Sequence, residues 1–211
     1  MDNDYFVEEI GRDPNILWAA PTPLIKDKLK EYFDIDAEEV AAGVNLNHFK
    51  PTREITKITT LGMSGKPGLV SGWDAVKRPD LLKAIAKDAN VNYHFIHSQD
   101  HTLHDKLYDP IDMYVCCSTS EAGPYGIVEA AACKIPVIST PVGYASKLKS
   151  IKTFNTLTEA VEIIKELNSD PEKLKKYIED VYEEVTREYD WNHVAYKYWK
   201  PLIEKRIELN G

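Results

Sequence analysis

The sequence lacks the features that mark secreted, membrane-spanning and nucleic-acid-binding proteins. Its three cysteines, Cys116, Cys117 and Cys133, form no CxxC pair, so we interpret them as small apolar residues of a reduced interior. No apolar run approaches the roughly 18 residues of a membrane span, and the acidic N-terminus has no basic segment followed by an apolar one. A net charge of -8 offers no broad cationic surface for phosphate backbones. We therefore expect a soluble, cytoplasmic protein.

Several motifs of nucleotide-binding and hydrolytic enzymes are also missing. The segment Gly62 to Lys66 lacks the Gly-x-x-x-x-Gly-Lys-Ser/Thr spacing of a P-loop, and there is no Gly-x-Gly-x-x-Gly dinucleotide fingerprint. The serines lack the context of a hydrolase nucleophile. One polar stretch has a spacing that could hold a metal ion: His97, Asp100, His101, His104 and Asp105. A polar loop after a strand explains these residues without a metal, and we expect no metal site.

The length of the chain and the order of its apolar segments predict one α/β domain. With 211 residues and 43% hydrophobic content, the chain can bury one sizeable core but not those of two full domains. From Thr56 onward, strand patterns alternate with helical ones. The predicted strands are 57–61, 91–96, 111–117, 136–140 and 151–154, and the predicted helices are 76–87, 102–108 and 126–133. This alternation indicates right-handed βαβ crossovers and a Rossmann-like parallel sheet flanked by helices.

The two ends of the chain extend this pattern. Before a linker near residues 47–51, the sequence predicts a short strand, a helix opened by Pro23 and a second strand over 39–44. Near the other end, three helices are predicted, beginning at Thr156, Asp170 and Asp190. The last of them carries an aromatic face, which either this domain or a neighbour must cover.

The most informative segment runs from Ser118 to Ile138. It follows an apolar strand, passes through a loop with glycine and proline, enters an alanine-rich helix and returns to a strand. Because open parallel sheets bind ligands at the carboxyl ends of their strands, we expect Glu121 at that crevice. A helix that begins near Gly126 would offer backbone N–H groups and the positive end of its dipole to a diphosphate. Gly123 and Gly126 would allow the diphosphate to approach closely.

Two carboxylates occur in this segment, Glu121 in the loop and Glu129 eight residues later, in the helix. Carboxylates repel phosphate but accept hydrogen bonds from hydroxyls. A ligand with a diphosphate between two polyhydroxyl groups fits both features, and this points to a nucleotide sugar. Another interpretation stays open, because alanine-rich helices are common in cores and a glutamate in a first turn commonly compensates the helix dipole.

The same segment resembles the signature of the large family of retaining GT-B glycosyltransferases of the Glu-x7-Glu type (group 1, family 4-like). The shared features are a serine before the first glutamate, a glycine-containing turn, Glu-Ala-x-Ala-Cys, a Pro-Val-Ile strand and a glycine near Gly143. Upstream, the segment Gly43 to Pro51 resembles the family's interdomain linker, and residues 111–115 resemble its Ala-Asp-Val strand. Asp190-Trp191 resembles the start of its last helix. The resemblance covers about residues 16–203.

The resemblance implies both a fold and a site. The fold would be the donor-binding C-terminal domain of a GT-B enzyme, with a truncated N-terminal strand and helix. Glu121 would be catalytic and contact sugar hydroxyls, and Glu129 would bind the nucleoside ribose. The other donor contacts would come from Gly62, Lys66 and Lys77 and from the backbone of Pro124, Tyr125, Gly126, Ile127 and Val128. No cofactor or metal would be needed, because protein cations and helix dipoles replace it. Alternatively, Lys77 is a solvated surface lysine without a role in binding.

Three departures from the family pattern bear on these expectations. Met63 follows Gly62 where the family usually has an arginine, and Lys66 could supply the missing charge from a longer loop. Lys134 stands where glycine is common. Only about 50 residues precede the end of the linker, whereas a complete member has an acceptor-binding N-terminal domain of comparable size. No acceptor site or general base for the acceptor can therefore be named.

We divide the chain into an N-terminal remnant and linker (1–50), a nucleotide-sugar-binding Rossmann-like domain (51–189) and a C-terminal aromatic helix that packs on the N-terminal part or on a partner (190–211). The leading hypothesis is transfer of a sugar from a nucleotide diphosphate donor to a glycan, lipid, protein or modified nucleic acid. A second hypothesis is a donor-binding module that is inactive without an acceptor-binding partner chain; a homo-oligomer is also considered. A third is a nucleotide-sugar epimerase or hydrolase on the same fold.

Overall fold

The N-terminal part of the chain forms a small parallel sheet. The computed structural model describes residue 13 and residues 16–65, 67–68, 72–97 and 106–208. Strand β1 (Trp18–Ala20) pairs in parallel with β2 (Ala37–Glu39), and helix α1 (Pro23–Phe33) connects them. Pro23 lies in the first turn of α1, as predicted, where its missing N–H has no intrahelical acceptor to lose.

The main sheet has five parallel strands in the order β4-β3-β5-β6-β7. The strands are β3 (Thr60–Ser64), β4 (Asn92–Ile96), β5 (Met113–Cys116), β6 (Val137–Ser139) and β7 (Lys152–Thr153). All five predicted strands are therefore present, although β3 begins three residues later than predicted. The α/β, Rossmann-like fold class is confirmed.

Helices cover both faces of this sheet. They are α2 (Trp73–Lys77), α3 (Pro79–Ala89), α4 (Tyr125–Ala132), α5 (Leu157–Ser169), α6 (Pro171–Tyr189), α7 (Trp191–Val194) and α8 (Lys200–Glu208), with a π-helical turn at Ala195–Trp199 between the last two. Helix α3 packs against α5, and α4 packs against α6. The crossover from β3 to β4 runs in the direction opposite to the crossover from β5 to β6. Because both are right-handed, their helices lie on opposite faces, and these two pairs form the outer layers. Among the described residues, no helix is both long and apolar enough to cross a lipid bilayer.

Local sequence signals account for two of the long helices. The Thr156 hydroxyl accepts a hydrogen bond from the Glu159 N–H at the start of α5. Asp170 caps α6 by accepting from two backbone N–H groups, and Pro171 follows as its first residue. Both helix starts were predicted, because side-chain caps depend on residues only two or three positions apart.

Two further predicted elements are wrong in their bounds. The single helix over 76–87 is instead α2 and α3, because Pro79 disfavours a helical conformation in the preceding residue and Arg78 adopts φ 55°. The second strand ends at Glu39 rather than continuing over 39–44. Val44 instead makes an isolated parallel bridge with Asp190. The predicted helix 102–108 lies outside the described residues as far as residue 105, and residues 107–110 form turns.

A buried carboxylate ties the amino ends of β3 and β5 together. Asp112 accepts hydrogen bonds from the backbone N–H groups of Thr59 and Thr60, at 2.9 and 3.0 Å, and forms an ion pair with Arg53 at 2.9 Å. Burial alone would raise the pKa of Asp112, but the hydrogen bonds from Thr59 and the charge of Arg53 outweigh it and lower the pKa. The folded state therefore favours the ionised form.

We predict that Asp112→Asn lowers the free energy of unfolding at pH 7 by about 1–3 kcal/mol, because buried donors lose a charged acceptor. Since the folded-state pKa is depressed, the stabilisation is present above about pH 4, the usual aspartate pKa, and is lost as the pH falls through the folded-state value. Urea unfolding at pH 7 and at successively lower pH measures the difference, with exposed Asp88→Asn as the control. If the difference in free energy of unfolding between the parent and Asp112→Asn stays constant down to pH 2, the ionised Asp112 carboxylate is not the source of the stabilisation.

Candidate functional site

The chain reverses its direction of winding at strand β3. From β3 it passes to β4 on one side, and it then returns to β5 on the other side of β3. The segments after these two strands therefore diverge at their carboxyl ends, and open α/β sheets bind ligands in the crevice that results. We call the region bordered by the segments after Ser64 and after Cys116 the switch crevice.

Lys77 and Glu121 form an ion pair at the switch crevice. Lys77 is the last residue of α2, in the segment after β3, and Glu121 lies in the loop after β5. Their side chains are only 27% and 14% exposed, so this pair is screened less than a surface ion pair. The structure thus brings together two residues that the sequence analysis assigned to one donor.

The loop of Glu121 is held by further hydrogen bonds. The Ser118 hydroxyl donates to Oε1 of Glu121 at 2.7 Å, and the Thr140 hydroxyl donates to the Ser118 carbonyl at 2.6 Å. The Thr119 N–H donates to the Val76 carbonyl at 2.8 Å, which fastens this loop to α2. Glu121 is therefore positioned by residues from both borders of the crevice.

Helix α4, which carries Glu129, packs against the carboxyl end of β3. A methyl group at Gly126 would lie 2.2 Å from the Tyr114 hydroxyl oxygen and 2.8 Å from Oγ of Ser64, the last residue of β3. Farther along the helix, Glu129 accepts a hydrogen bond from the Tyr108 hydroxyl at 2.6 Å. The loop with Glu121 and the helix with Glu129 therefore border the same crevice.

The N-terminus of α4 has no side-chain cap. Pro124 at the N-cap position makes no side-chain hydrogen bond, and no acidic residue lies in the first turn. The first backbone N–H groups of a helix have no intrahelical acceptor and carry the positive end of its dipole. The Ile127 N–H already donates to the Pro124 carbonyl at 3.1 Å, so Tyr125 and Gly126 supply the amides that best suit an anion.

Other predicted site residues have different environments. Gly62 is buried within β3, where a methyl group would lie 2.4 Å from the Ile111 side chain, so its small size serves packing. The side chains of Ile127 and Val128 are fully buried, which leaves only their backbone for a ligand. Lys66 lies outside the described residues. The donor roles of these residues remain predictions.

The alternative metal site cannot be assembled from the described part of the chain. Of its five residues only His97 is described, and it is exposed. Elsewhere in the described ranges, no group of three or more histidine, cysteine, aspartate or glutamate residues is arranged to hold a metal ion. Burial raises the pKa of Cys117 and of Cys133 to about 12, so these buried thiols stay protonated and are poor nucleophiles.

Sequence reasoning missed the residues that support the two glutamates. They are Ser64, Tyr108, Tyr114 and Thr140, which lie in or near three different strands, β3, β5 and β6. No local spacing connects them, because tertiary packing alone brings them to the crevice. The only available signal was the position of polar hydroxyls at the ends of apolar strands.

A separate cavity lies at the opposite edge of the sheet. Its volume is about 420 Å³, and it is lined by residues 51–55, Lys134, Lys175, Ile178 and Glu179. Lys134 follows the C-terminal end of α4 and precedes β6, so this cavity faces the amino ends of the strands. It contains none of the predicted site residues, and it lies away from the carboxyl ends of the strands, where open α/β sheets bind their ligands.

Comparison with known proteins agrees with the fold. A family model described as Glycosyl transferases group 1 matches residues 69–192, which is more than half of the chain. None of the curated protein sequences matches this chain significantly.

Three solved structures illustrate the similarity in fold. Sucrose-phosphate synthase from Thermosynechococcus elongatus superimposes with a TM-score of 0.68 and 15% identity over 92% of this chain and 58% of that protein. Pneumococcal O-GlcNAc transferase GtfA, in complex with UDP and GlcNAc, superimposes with a TM-score of 0.70 and 14% identity over 97% of this chain and 48% of that protein. Anabaena HepE, in complex with UDP and glucose, superimposes with a TM-score of 0.74 and 14% identity over 95% of this chain and 66% of that protein. The chain thus spans about half to two thirds of the length of these proteins.

We predict that Gly126→Ala destabilises the protein although alanine has the higher helix propensity. The helix preference would favour alanine by about 1 kcal/mol. The contacts with Tyr114 and Ser64 would cost about 1–3 kcal/mol, because β3 and α4 would have to separate. Thermal and urea unfolding measure the change.

Tyr114→Phe tests the cause of that loss. Removing the hydroxyl takes away the nearest atom to the added methyl group, so the effect of Gly126→Ala should be smaller in the Tyr114→Phe background. Strictly additive effects, or a Gly126→Ala protein as stable as the parent, would show that α4 does not press on the Tyr114 hydroxyl.

Proposed function

The chain belongs to the family of group 1 glycosyl transferases, and we propose that it is the donor-binding part of a retaining glycosyltransferase. It would bind a nucleoside diphosphate sugar and support transfer of the sugar to an acceptor. The observation that carries this proposal is the Lys77–Glu121 pair at the switch crevice, beside the uncapped N-terminus of α4. One cation, one carboxylate and a set of backbone amides suit a ligand that joins a diphosphate to a hydroxyl-rich sugar.

The diphosphate would lie between Lys77 and the first amides of α4. In the structure Lys77 is paired with Glu121, so donor binding would exchange partners: Lys77 would contact the diphosphate, and Glu121 would accept hydrogen bonds from sugar hydroxyls. As the bond to the sugar breaks, negative charge grows on the departing nucleotide. Lys77 and the helix dipole would stabilise that charge in the transition state more than in the ground state.

The nucleotide half of the donor would extend toward Glu129. Its carboxylate lies farther along α4 than the amides assigned to the diphosphate, and it would accept hydrogen bonds from the ribose. The complexes of GtfA and HepE with UDP support a nucleoside diphosphate as the ligand class. Retention of stereochemistry is supported by the family resemblance. No metal enters this scheme, and cytoplasmic location remains a prediction.

A second domain or chain would supply the acceptor site. Large exposed hydrophobic side chains are concentrated near the two ends of the chain: Leu24, Tyr32, Phe33, Trp191, Tyr196, Trp199, Ile203 and Ile207. These ends lie together, because Lys205 pairs with Glu38 and the Trp199 indole N–H donates to the Ala41 carbonyl. A two-stranded sheet is marginally stable by itself, so the N-terminal part would gain stability from a covering partner.

Solution mass and turnover of UDP-glucose by the chain alone test the partner proposal. We expect nucleotide binding without transfer until an acceptor-binding partner is added. Efficient transfer by a monomer would refute the need for a partner, whereas activity that appears only in a homodimer would assign the covering role to a second copy. Turnover without any acceptor would instead indicate a hydrolase or an epimerase.

Substitution of the two glutamates should have opposite effects on nucleotide binding. Glu129→Gln should weaken binding of the preferred nucleotide among UDP, GDP and ADP by about tenfold, because ribose hydroxyls lose a charged acceptor. Glu121→Gln should strengthen binding of the same sugar-free nucleotide by about fivefold, because Lys77 loses its competing anion. Isothermal titration calorimetry measures both effects.

Exposed Glu162→Gln, on α5, provides a control of equal charge change. Raising the salt concentration should reduce the increase in nucleotide affinity of Glu121→Gln, because that increase depends on the charge of Lys77. If both crevice variants bind the nucleotides as the control does, the donor site does not lie in the switch crevice.

A further inference from the structure

Tyr108 connects the segment before β5 to helix α4. Its side chain is 2% exposed, and its hydroxyl donates a hydrogen bond of 2.6 Å to Oε2 of Glu129. A hydrogen bond to an ionised carboxylate is stronger and more directional than one between neutral groups. One oxygen of the glutamate thus has a buried donor that comes from outside its own helix.

The ring of Tyr108 is fixed on two sides. It makes edge-to-face contacts with Phe49, at 6.1 Å between centroids and 65°, and with Tyr114, at 6.1 Å and 67°. Such aromatic pairs restrict the ring beyond the effect of burial alone. The hydroxyl therefore has little freedom to follow Glu129, and the carboxylate must adapt to the tyrosine.

Tyr108 remains a hydrogen-bond donor at any ordinary pH. Burial is the main cause that raises its pKa, and the negative charge of Glu129 raises it further. The phenol thus keeps its proton, and Oε2 of Glu129 is the acceptor. The direction of the hydrogen bond does not change with pH near neutrality.

We propose that Tyr108 is a positioning residue that orients the carboxylate of Glu129 for recognition of ribose hydroxyls. This inference rests on the proposed donor site and deepens it. Glu129 projects from a helix whose first turn is packed tightly on Ser64 and Tyr114, so the backbone is fixed and only the side-chain torsions remain to be set. The Tyr108 hydroxyl sets them. Discrimination between ribose and deoxyribose therefore depends on a residue that does not touch the nucleotide.

The test compares binding of UDP, GDP and ADP with binding of their 2′-deoxy and 3′-deoxy counterparts. Tyr108→Phe keeps the ring contacts and removes only the hydroxyl. We expect it to lower the preference for the ribonucleotide over the deoxynucleotides by about fivefold. Without the Tyr108 hydroxyl, the Glu129 carboxylate is no longer oriented toward the ribose, and its hydrogen bond to the ribose hydroxyl is weakened. Glu129→Gln should lower the same ratio at least as much, and the double variant should add little to it.

Tyr177→Phe is the matched control. Tyr177 is also a buried tyrosine, and its hydroxyl donates to the Val137 carbonyl at 2.5 Å, at a site away from the crevice. This variant loses two hydrogen bonds, because the Tyr177 hydroxyl also accepts one from the Lys152 N–H at 3.0 Å. It loses the corresponding stability, but it should keep the parental ribose preference. The ratio of two affinities thus separates positioning from a general loss of stability.

The outcomes distinguish this inference from the proposed function. If the parent protein binds none of the three nucleotides, both fail. If it binds one with a ribose preference that Glu129→Gln abolishes and Tyr108→Phe leaves unchanged, the donor site stands and Tyr108 has no positioning role. A fall in the ratio in both Tyr108→Phe and Glu129→Gln, with Tyr177→Phe like the parent, supports the inference.

Discussion

The switch crevice exists because parallel strands cannot be joined by a tight turn. Each connection must cross over one face of the sheet, and right-handed crossovers place successive strands to one side. Strand β3 has β4 on one side and β5 on the other, so the segments after β3 and β5 leave the sheet toward opposite faces. The gap that they leave is a consequence of strand order, and it forms before any particular side chain is placed in it.

Charge within the crevice is compensated by the protein itself. A buried lysine or carboxylate is costly unless it is paired, and the hydrogen bond between Lys77 and Glu121 reduces that cost. The pair also limits ligand choice. A simple anion would compete with Glu121 for Lys77 and leave the carboxylate without its partner. A ligand that brings hydroxyls together with phosphate compensates both residues, and this is the physical reason to favour a nucleotide sugar.

The parts of the fold that could be predicted from the sequence depend on near neighbours in the chain. The starts of α5 and α6 follow from capping residues two or three positions away. The break at Arg78 also followed from a local rule about proline, which helical periodicity had concealed. By contrast, the second strand was placed too late because Gly43 and Val44 pack beside Trp191 and Asp190, nearly 150 residues away.

The candidate site shows the same difference between features that depend on near neighbours in the chain and features that depend on distant contacts. Glu121, Glu129 and Lys77 could be chosen because they lie in a recognisable segment or at a matching position. Tyr108 and Ser64 could not, because their role is defined by contacts between separate strands. Residues that touch a ligand tend to fall in short motifs, whereas those that hold them in place are recruited by packing from anywhere in the core. A single sequence therefore identifies the first group more readily than the second.

Both glutamates are coupled through tyrosines to the segment over residues 42–49. The Ala42 N–H donates to the Tyr144 hydroxyl at 3.2 Å, and the Tyr144 ring lies against Gly123 in the loop of Glu121. Phe49 packs against Tyr108, which donates to Glu129. These contacts connect the segment to the loop of Glu121 and to the carboxylate of Glu129. The segment that resembles an interdomain linker is therefore a structural support of the proposed donor site.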